Sequence, residues 1–323
     1  MRGIAILLVV VGHAIVLNGY APKGSEPFLY EWIKLLQMPM FMMLSAYLAA
    51  RSKVPASIKE WFATARKRGI SYLVPFFVWM LVTHPKTFIP TLSTTLFDLD
   101  YGNGLWFLMV LFILTLQFTI TRYLVEKWNK KALLLVLAPL FYVGLFILQR
   151  LGIRFLSPDM CLYYFPFYYL AYCFGMYQKE IAKKWLATGG GIGSVSYILL
   201  CIRFDVIDVS NKVELLLQMG MACLGAVSLM ALIKVIAGRK YIQPIAWIGC
   251  YTLEIYVLHF HFARWIPKQL KNGNLASVEG ILGMGLSILV MAIATLLIAG
   301  LFGKVPVLNL LFFGKHPKTN KTL

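Results

Sequence analysis

Long apolar runs separated by short basic connectors constrain the fold of this chain more than any other feature of its sequence. Hydrophobic residues make up 60% of the 323 residues, and charged residues make up only 14%. Soluble domains are about 45–50% apolar and about 25% charged, so a water-soluble globule is excluded. Runs of roughly 17–25 apolar residues are long enough to cross a bilayer as helices. The sequence therefore predicts an all-α integral membrane protein with a single polytopic domain over residues 1–323.

Ten apolar runs of the sequence are candidate membrane helices, although the third of them is short. Their approximate bounds are 3–20, 31–50, 70–84, 104–124, 132–148, 160–178, 187–203, 213–236, 246–264 and 279–302.

The distribution of positive charge orients these candidate spans. The net charge is +18, and the cations cluster in the connectors near residues 51–68, 122–131, 179–184 and 234–240. With the N-terminus in the cytoplasm, these clusters all face inward, as the positive-inside rule requires. The excess of positive charge is thus explained without a nucleic-acid partner. We expect about ten transmembrane helices with both termini cytoplasmic, residues 303–323 forming a cytoplasmic tail, in a bacterial plasma membrane.

The connector at residues 51–69 has a helical pattern of its own. Ile58, Trp61, Phe62 and Ala65 recur at helical spacing, and cations lie on the other face. This pattern is typical of an amphipathic helix that lies on a membrane surface in contact with lipid. We expect a short cytoplasmic surface helix here.

Two ionisable residues on the first candidate helix are out of place in lipid. Arg2 and His13 are eleven residues apart, which is about three full helical turns, so both side chains project from one face. A buried imidazole is expected to be neutral, because desolvation disfavours its charged form, and a neutral imidazole can take a proton from a hydroxyl. An Arg at the cytoplasmic mouth can hold a phosphorylated donor through bidentate hydrogen bonds. The alternative is a structural hydrogen bond for His13 and an Arg2 side chain that extends to lipid headgroups.

The run from Met1 to His13 resembles the opening motif of the acyltransferase 3 family, in which Arg or Lys is followed by ten residues and then His. Further segments resemble motifs of later helices in the family's order, namely 39–48, Arg68 with 75–76, 105–108 and 254–259. The resemblance covers residues 2 to about 262. It implies an integral membrane O-acyltransferase.

The resemblance implies a reaction and roles for particular residues. The family moves an acyl group, often acetyl, from cytoplasmic acyl-CoA to a carbohydrate hydroxyl, typically on a cell-envelope or exported glycan or a lipid-linked glycan. His13 would be the base that deprotonates the acceptor hydroxyl, or would relay the acyl group. Arg2 and Arg68 would bind donor phosphates or the thioester carbonyl. Acyl-CoA would be a co-substrate, with no bound cofactor.

The basic cluster Arg66, Lys67 and Arg68 suits a coenzyme A donor independently of the resemblance. Coenzyme A carries several phosphate charges, and Arg and Lys form charge-assisted hydrogen bonds with phosphate. The same cluster is equally typical of an orientation signal on a solvated face.

Several positions depart from the family pattern. Gln37 stands where a His often precedes the Met-Pro pair, Ala46 replaces the usual Gly, and Ser71 occupies the second Arg position of a paired Arg motif. The family usually has an acidic residue and a few more residues ahead of the Arg. An inactive family member is therefore an alternative to an active enzyme.

A late candidate helix carries three further ionisable groups. Glu254 and His261 are seven residues apart and could face one cavity, whereas His259 lies about 140° from Glu254. His259 is either a site residue or a structural hydrogen-bonding group, and three groups on two faces predict no zinc site. Further candidate cavity residues are Gln37, Ser45 and Trp106, although Trp106 is also typical of an interfacial anchor.

The rival function is transport. In a polysaccharide exporter or small-solute carrier, intramembrane ionisable residues line a pathway without chemistry. Arg2, Glu254, His259 and His261 would be those residues.

Overall fold

The computed structural model describes residues 1–20, 28–98, 105–130, 132–177, 181–204, 209, 211–271 and 273–315. Within these residues the chain is helical and has no strand. The α-helices are α1 Arg2–Leu17, α2 Phe28–Ala50, α3 Ile58–Thr83, α4 Phe88–Ser93, α5 Trp106–Lys127, α6 Leu133–Arg150, α7 Pro158–Tyr177, α8 Lys183–Arg203, α9 Lys212–Ile236, α10 Gln243–Ile248, α11 Thr252–Phe262, α12 Val278–Gly303 and α13 Pro306–Phe313.

The predicted apolar runs correspond to helices of the structure. Each of the ten runs overlaps at least one helix, and the run at 246–264 is divided between α10 and α11 by a short 3-10 turn, Gly249–Tyr251. Among the described residues, six helices are long and apolar enough to cross a membrane, namely Leu29–Ala50, Trp106–Lys127, Leu133–Arg150, Lys183–Arg203, Lys212–Ile236 and Val278–Gly303. The all-helical, multi-pass part of the prediction is confirmed.

Residues 58–69 of the expected surface helix and residues 70–83 of the expected third span form one continuous helix, α3. The side chain of Ser57 caps its start by accepting a hydrogen bond from the Glu60 backbone N–H at 3.2 Å. No proline interrupts the chain between residue 58 and Pro75, so nothing ends the helix at residue 69. The amphipathic segment therefore extends the third helix and does not form a separate element.

The segment expected as a tail begins with a packed helix, α13. The Trp79 indole N–H of α3 donates a hydrogen bond to the Phe312 carbonyl oxygen at 2.9 Å, and Phe313 is fully buried. Ser71 Oγ donates to the Gly314 carbonyl oxygen at 3.2 Å. The rings of Trp79 and Phe312 also lie 5.2 Å apart between centroids, so the packing of α13 rests on its last two residues. The rest of the expected tail, 316–323, lies outside the described residues.

The chain divides into two compact units. The first unit comprises residues 1–44 and 177–299, and the second unit comprises residues 45–176 and 300–323. Each unit combines segments that are distant in sequence.

In the first unit, two glycines let α1 pack closely on opposite sides. They are nine residues apart, or about two and a half turns, so they face opposite directions. A Cβ atom at Gly3 would collide with the backbone carbonyl of Ile245 in α10, and a Cβ atom at Gly12 would lie 2.9 Å from Gln37 Oε1 in α2. The first helix is therefore held between α10 and α2.

The first unit also contains the closely packed pair α8 and α9. The Tyr197 hydroxyl of α8 donates a hydrogen bond to the Trp32 carbonyl oxygen at 2.8 Å, and its ring lies against Gly225 of α9. The ring is 2% exposed and fills the space that a larger residue at position 225 would need.

We expect Gly225→Ala to destabilise the protein, because the new Cβ atom would lie 2.9 Å from Tyr197 Cδ2 and 3.0 Å from Cε2. Overpacking of this kind costs about 1–3 kcal/mol. The matched control is Gly220→Ala on the same helix, where no heavy atom of the described residues lies within 4 Å of the added carbon. Thermal unfolding in detergent should show a lower Tm for the first variant only. Equal Tm values would contradict this packing.

The core of the second unit is aromatic. The Phe118 ring of α5 lies 4.8 Å from the rings of Tyr168 and Tyr172 of α7, measured between centroids. The Tyr168 hydroxyl is 3.3 Å from Thr115 Oγ1. These contacts explain why α7 is rich in aromatic residues and yet largely buried.

Candidate functional site

The structure brings two histidines of distant helices into direct contact. His13 lies on α1 and His259 lies on α11, 246 residues apart in sequence, and the distance from His13 Nδ1 to His259 Nε2 is 2.6 Å. On its other side, His259 Nδ1 is 2.6 Å from the Ile255 carbonyl oxygen one turn earlier in α11. The resulting chain of hydrogen bonds runs from the backbone of α11 through His259 to His13.

The two histidines differ in accessibility. His259 is 1% exposed, whereas His13 is partly exposed at one end of the pair. The ring edge of Phe260 packs against His13, with centroids 5.6 Å apart. His13 is thus the less buried member of the pair.

Hydrogen bonds beyond the pair fix the end of α1 that follows His13. Asn18 Nδ2 donates to the Ala263 carbonyl oxygen at 2.9 Å and lies 3.1 Å from Ser287 Oγ. Ser287 Oγ donates to the same Ala263 carbonyl oxygen at 2.7 Å. Asn18 and Ser287 are buried and join α1 and α12 to the end of α11. Neither residue stands out in the sequence, because a lone Asn or Ser in an apolar run does not reveal its partner.

Arg2 begins the same helix that carries His13, as their spacing predicts. Its side chain is exposed. Eleven residues of α-helix separate the two Cα atoms by roughly 16 Å along the axis. Arg2 is therefore available to solvent at the far end of α1 from Asn18.

Gln37 lies against the turn of α1 that carries His13. Its Oε1 atom is next to Gly12 and is buried without a hydrogen-bond partner among the described residues. A buried acceptor without a hydrogen bond raises the free energy of the folded protein. A hydrogen-bond donor that reached this amide oxygen would remove that cost. Gln37 is thus a neighbour of the His13 turn, although whether it lines a cavity stays a prediction.

The remaining ionisable residues of α11 differ in their surroundings. Glu254 is 3% exposed, whereas His261 is exposed. The expectation that both face one cavity stays a prediction. Within the described part of the chain, no group of three His, Cys, Asp or Glu side chains is placed to hold a metal ion.

The other predicted site residues belong to the second unit. Arg66 and Lys67 are exposed on α3, and Arg68 Nη1 donates to the Tyr72 hydroxyl at 3.4 Å. Two further candidates, Ser45 and Trp106, are partly buried, and the Trp106 ring stacks on Tyr164 with centroids 5.4 Å apart.

Comparison with known proteins gives a family match over most of the chain. The family model described as an acyltransferase domain, acyltransferase 3, matches residues 1–303. Nodulation protein NolL of Sinorhizobium fredii (strain NBRC 101917 / NGR234) is 27% identical over 217 residues, which is 63% of this chain. The match spans about half of that relative, 55% of its length. No solved structure matches the chain. The resemblance identified from the motifs is confirmed, and this multi-pass membrane protein belongs to the acyltransferase 3 family.

Proposed function

We propose that the protein is a membrane O-acyltransferase that moves an acyl group, most simply acetyl, from acyl-CoA to a hydroxyl of a cell-envelope or exported carbohydrate. The observation that carries this proposal is the partly exposed His13, hydrogen-bonded to the buried His259, in a chain that belongs to an acyltransferase family. An imidazole held by a hydrogen bond on one nitrogen is the usual arrangement of a general base.

In the proposed reaction, His13 removes the proton of the acceptor hydroxyl. The oxygen then attacks the thioester carbonyl carbon, so that a C–O bond forms and the C–S bond breaks. Coenzyme A leaves as the thiolate and takes the proton back from His13, which restores the neutral imidazole. Proton transfer by a positioned group typically accelerates such a step by about 10² to 10⁴-fold.

Cationic side chains are the candidates for holding the donor. Arg2 is exposed at the start of α1, and Arg66, Lys67 and Arg68 are consecutive residues of α3. Guanidinium groups bind phosphate oxygens in pairs, and ammonium groups bind them as point charges. We assign the coenzyme A phosphates to these residues.

The proposed topology is ten transmembrane helices with both termini in the cytoplasm of a bacterium. Two observations support this topology. Each predicted run overlaps a helix of the structure, and the basic connectors all fall on the cytoplasmic side when successive connectors alternate across the membrane. In this topology Arg2 and the 66–68 group both face the cytoplasm, where acyl-CoA is made.

We expect simultaneous replacement of Arg66, Lys67 and Arg68 by Gln to weaken acetyl-CoA binding by at least about tenfold, because each hydrogen bond to a charged group contributes about 1.5–3 kcal/mol. Isothermal titration of the purified protein measures this change. The matched control replaces Lys127, Lys183 and Lys184 by Gln, which removes the same charge from other exposed positions. Equal weakening in both variants would contradict a specific donor site. An unmodified protein that does not bind acetyl-CoA would favour a carrier.

The acceptor is tested in cells. Mass spectrometry of surface glycans from cells with and without the gene should show acyl esters that depend on the gene. Identical glycans in both strains would overturn the carbohydrate assignment.

A further inference from the structure

The hydrogen bonds of the histidine pair determine which ring nitrogens carry protons. A backbone carbonyl oxygen can only accept a hydrogen bond, and His259 Nδ1 lies 2.6 Å from the Ile255 carbonyl oxygen. His259 Nδ1 therefore carries a proton and donates it. In a neutral imidazole the second nitrogen then has a lone pair, so His259 Nε2 is an acceptor.

The same reasoning fixes His13. His259 Nε2 accepts, and the atom 2.6 Å from it is His13 Nδ1. His13 Nδ1 must carry the proton of this hydrogen bond. With both rings neutral, His13 Nε2 is left with its lone pair, and this nitrogen is the basic one.

The geometry of the two rings agrees with a hydrogen bond and not with face-to-face stacking. The ring centroids are 4.8 Å apart, the planes are inclined by 24°, and the two nitrogens are only 2.6 Å apart. The nitrogens therefore lie between the two ring centres, and the rings meet edge to edge. Such an edge-on contact restricts rotation of the His13 ring about its side-chain bonds.

The environment of His259 excludes direct contact with a substrate. Its side chain is 1% exposed, and both of its ring nitrogens are occupied, one by the backbone and one by His13. His259 can therefore act on the reaction only through His13.

We propose that His259 is a positioning residue that fixes the tautomer and orientation of His13, so that His13 Nε2 is the nitrogen presented to the acceptor hydroxyl. This inference rests on the proposed function, in which His13 is the base. A partner that holds one ring nitrogen decides which tautomer a histidine adopts. Without His259, His13 distributes its proton over both nitrogens and its ring rotates, so only a fraction of the molecules present a base at Nε2.

Two substitutions at position 259 separate this role from packing. His259→Leu fills similar space and has no acceptor, whereas His259→Gln retains an oxygen that can accept from His13 Nδ1. We expect His259→Leu to lower kcat by about 10- to 100-fold with the KM for acyl-CoA unchanged, and His259→Gln to restore most of the loss. Equal losses in both variants, or a rise in KM alone, would overturn the positioning role. His84→Leu, at the end of α3, is the control for histidine replacement.

A spectroscopic measurement reports the tautomer without reference to turnover. The chain has five histidines, so ¹⁵N NMR of histidine-labelled protein, with single variants for assignment, resolves their ring nitrogens. We expect protonated Nδ1 and unprotonated Nε2 at His13, and loss of this pattern in His259→Leu. Protonated Nε2 at His13 in the unmodified protein would overturn the inference.

Different results overturn the proposed function and the positioning role of His259. Absence of acyl transfer by the unmodified protein overturns the proposed function, and with it the catalytic consequence of the pair. Full activity of His259→Leu beside inactive His13→Ala overturns the positioning role alone.

Discussion

His13→Ala is expected to reduce acyl transfer by about 10² to 10⁴-fold, which is the contribution typical of a general base. The structural reason is that His13 is the partly exposed member of the pair, and His259 is too buried to replace it. Transfer of labelled acetyl from acetyl-CoA, measured in membrane vesicles, tests this result. Binding of acetyl-CoA should persist, because the proposed donor-binding residues are unchanged.

The control for this variant is His84→Ala. His84 pairs with Thr83 at the end of α3 and has no part in the proposed site. Both variants should insert into the membrane in equal amounts. Full acyl transfer by His13→Ala would remove the assigned mechanism, whereas loss of transfer in both variants would show a general effect of removing a histidine.

Gly3→Ala is expected to lower both stability and activity. A Cβ atom at this position would overlap the Ile245 carbonyl group and lie 3.0 Å from Ile245 Cγ2, and a backbone group cannot rotate away. The helix α1 must then separate from α10. Overpacking costs about 1–3 kcal/mol, and a misplacement of about 1 Å at a reacting group can cost about 10²-fold in rate.

The activity loss follows from the connection between α10 and α11. A short turn at Gly249–Tyr251 joins α10 to the helix that carries His259, and a Cβ atom at Gly249 would itself lie 2.9 Å from the Gly3 nitrogen. Gly285→Ala on α12 is the matched control, since no described heavy atom lies within 4 Å of its added carbon. Thermal unfolding and acyl transfer measured on both variants test the expectation. A Gly3→Ala protein with unchanged Tm and rate would contradict it.

The helices and the family could be predicted because both depend on patterns within short segments of the sequence. Apolar runs long enough to span a bilayer are visible in the sequence, and each overlaps a helix of the structure. The spacing of Arg2 and His13 likewise depends only on helical geometry, and one helix contains both. The family match over residues 1–303 agrees with the motifs that identified it.

The contact between His13 and His259 was not predictable, because it joins residues 246 positions apart. The sequence marked both as costly in lipid and left open whether each had a chemical or a structural role. In the structure the hydrogen bond that satisfies His259 is made to His13, so a structural hydrogen bond at His259 is compatible with the proposed site at His13. The Asn18 and Ser287 contacts were missed for the same reason.

Connector geometry was predicted less well than the spans. The amphipathic segment after residue 57 carries a surface-helix pattern, but in the structure it is the capped first part of α3 and continues without a break into the apolar part. The apolar residues of α13 lie beyond the last predicted span. Because lysines flank them, the sequence predicted a tail at this position. Charge patterns indicate which side a segment faces, not where a helix ends.

The arrangement of α1 has a consequence for biogenesis. The partners of its polar residues, His259, Ala263 and Ser287, are synthesised about 250 residues later. At about 5–20 residues per second, ribosomes need roughly 12–50 s to reach them. In the proposed topology, the nascent first helix would hold an imidazole and an amide in the bilayer for that interval without these partners. In that topology we expect the first helix to reach its final packing only after residues 259–287 have been synthesised.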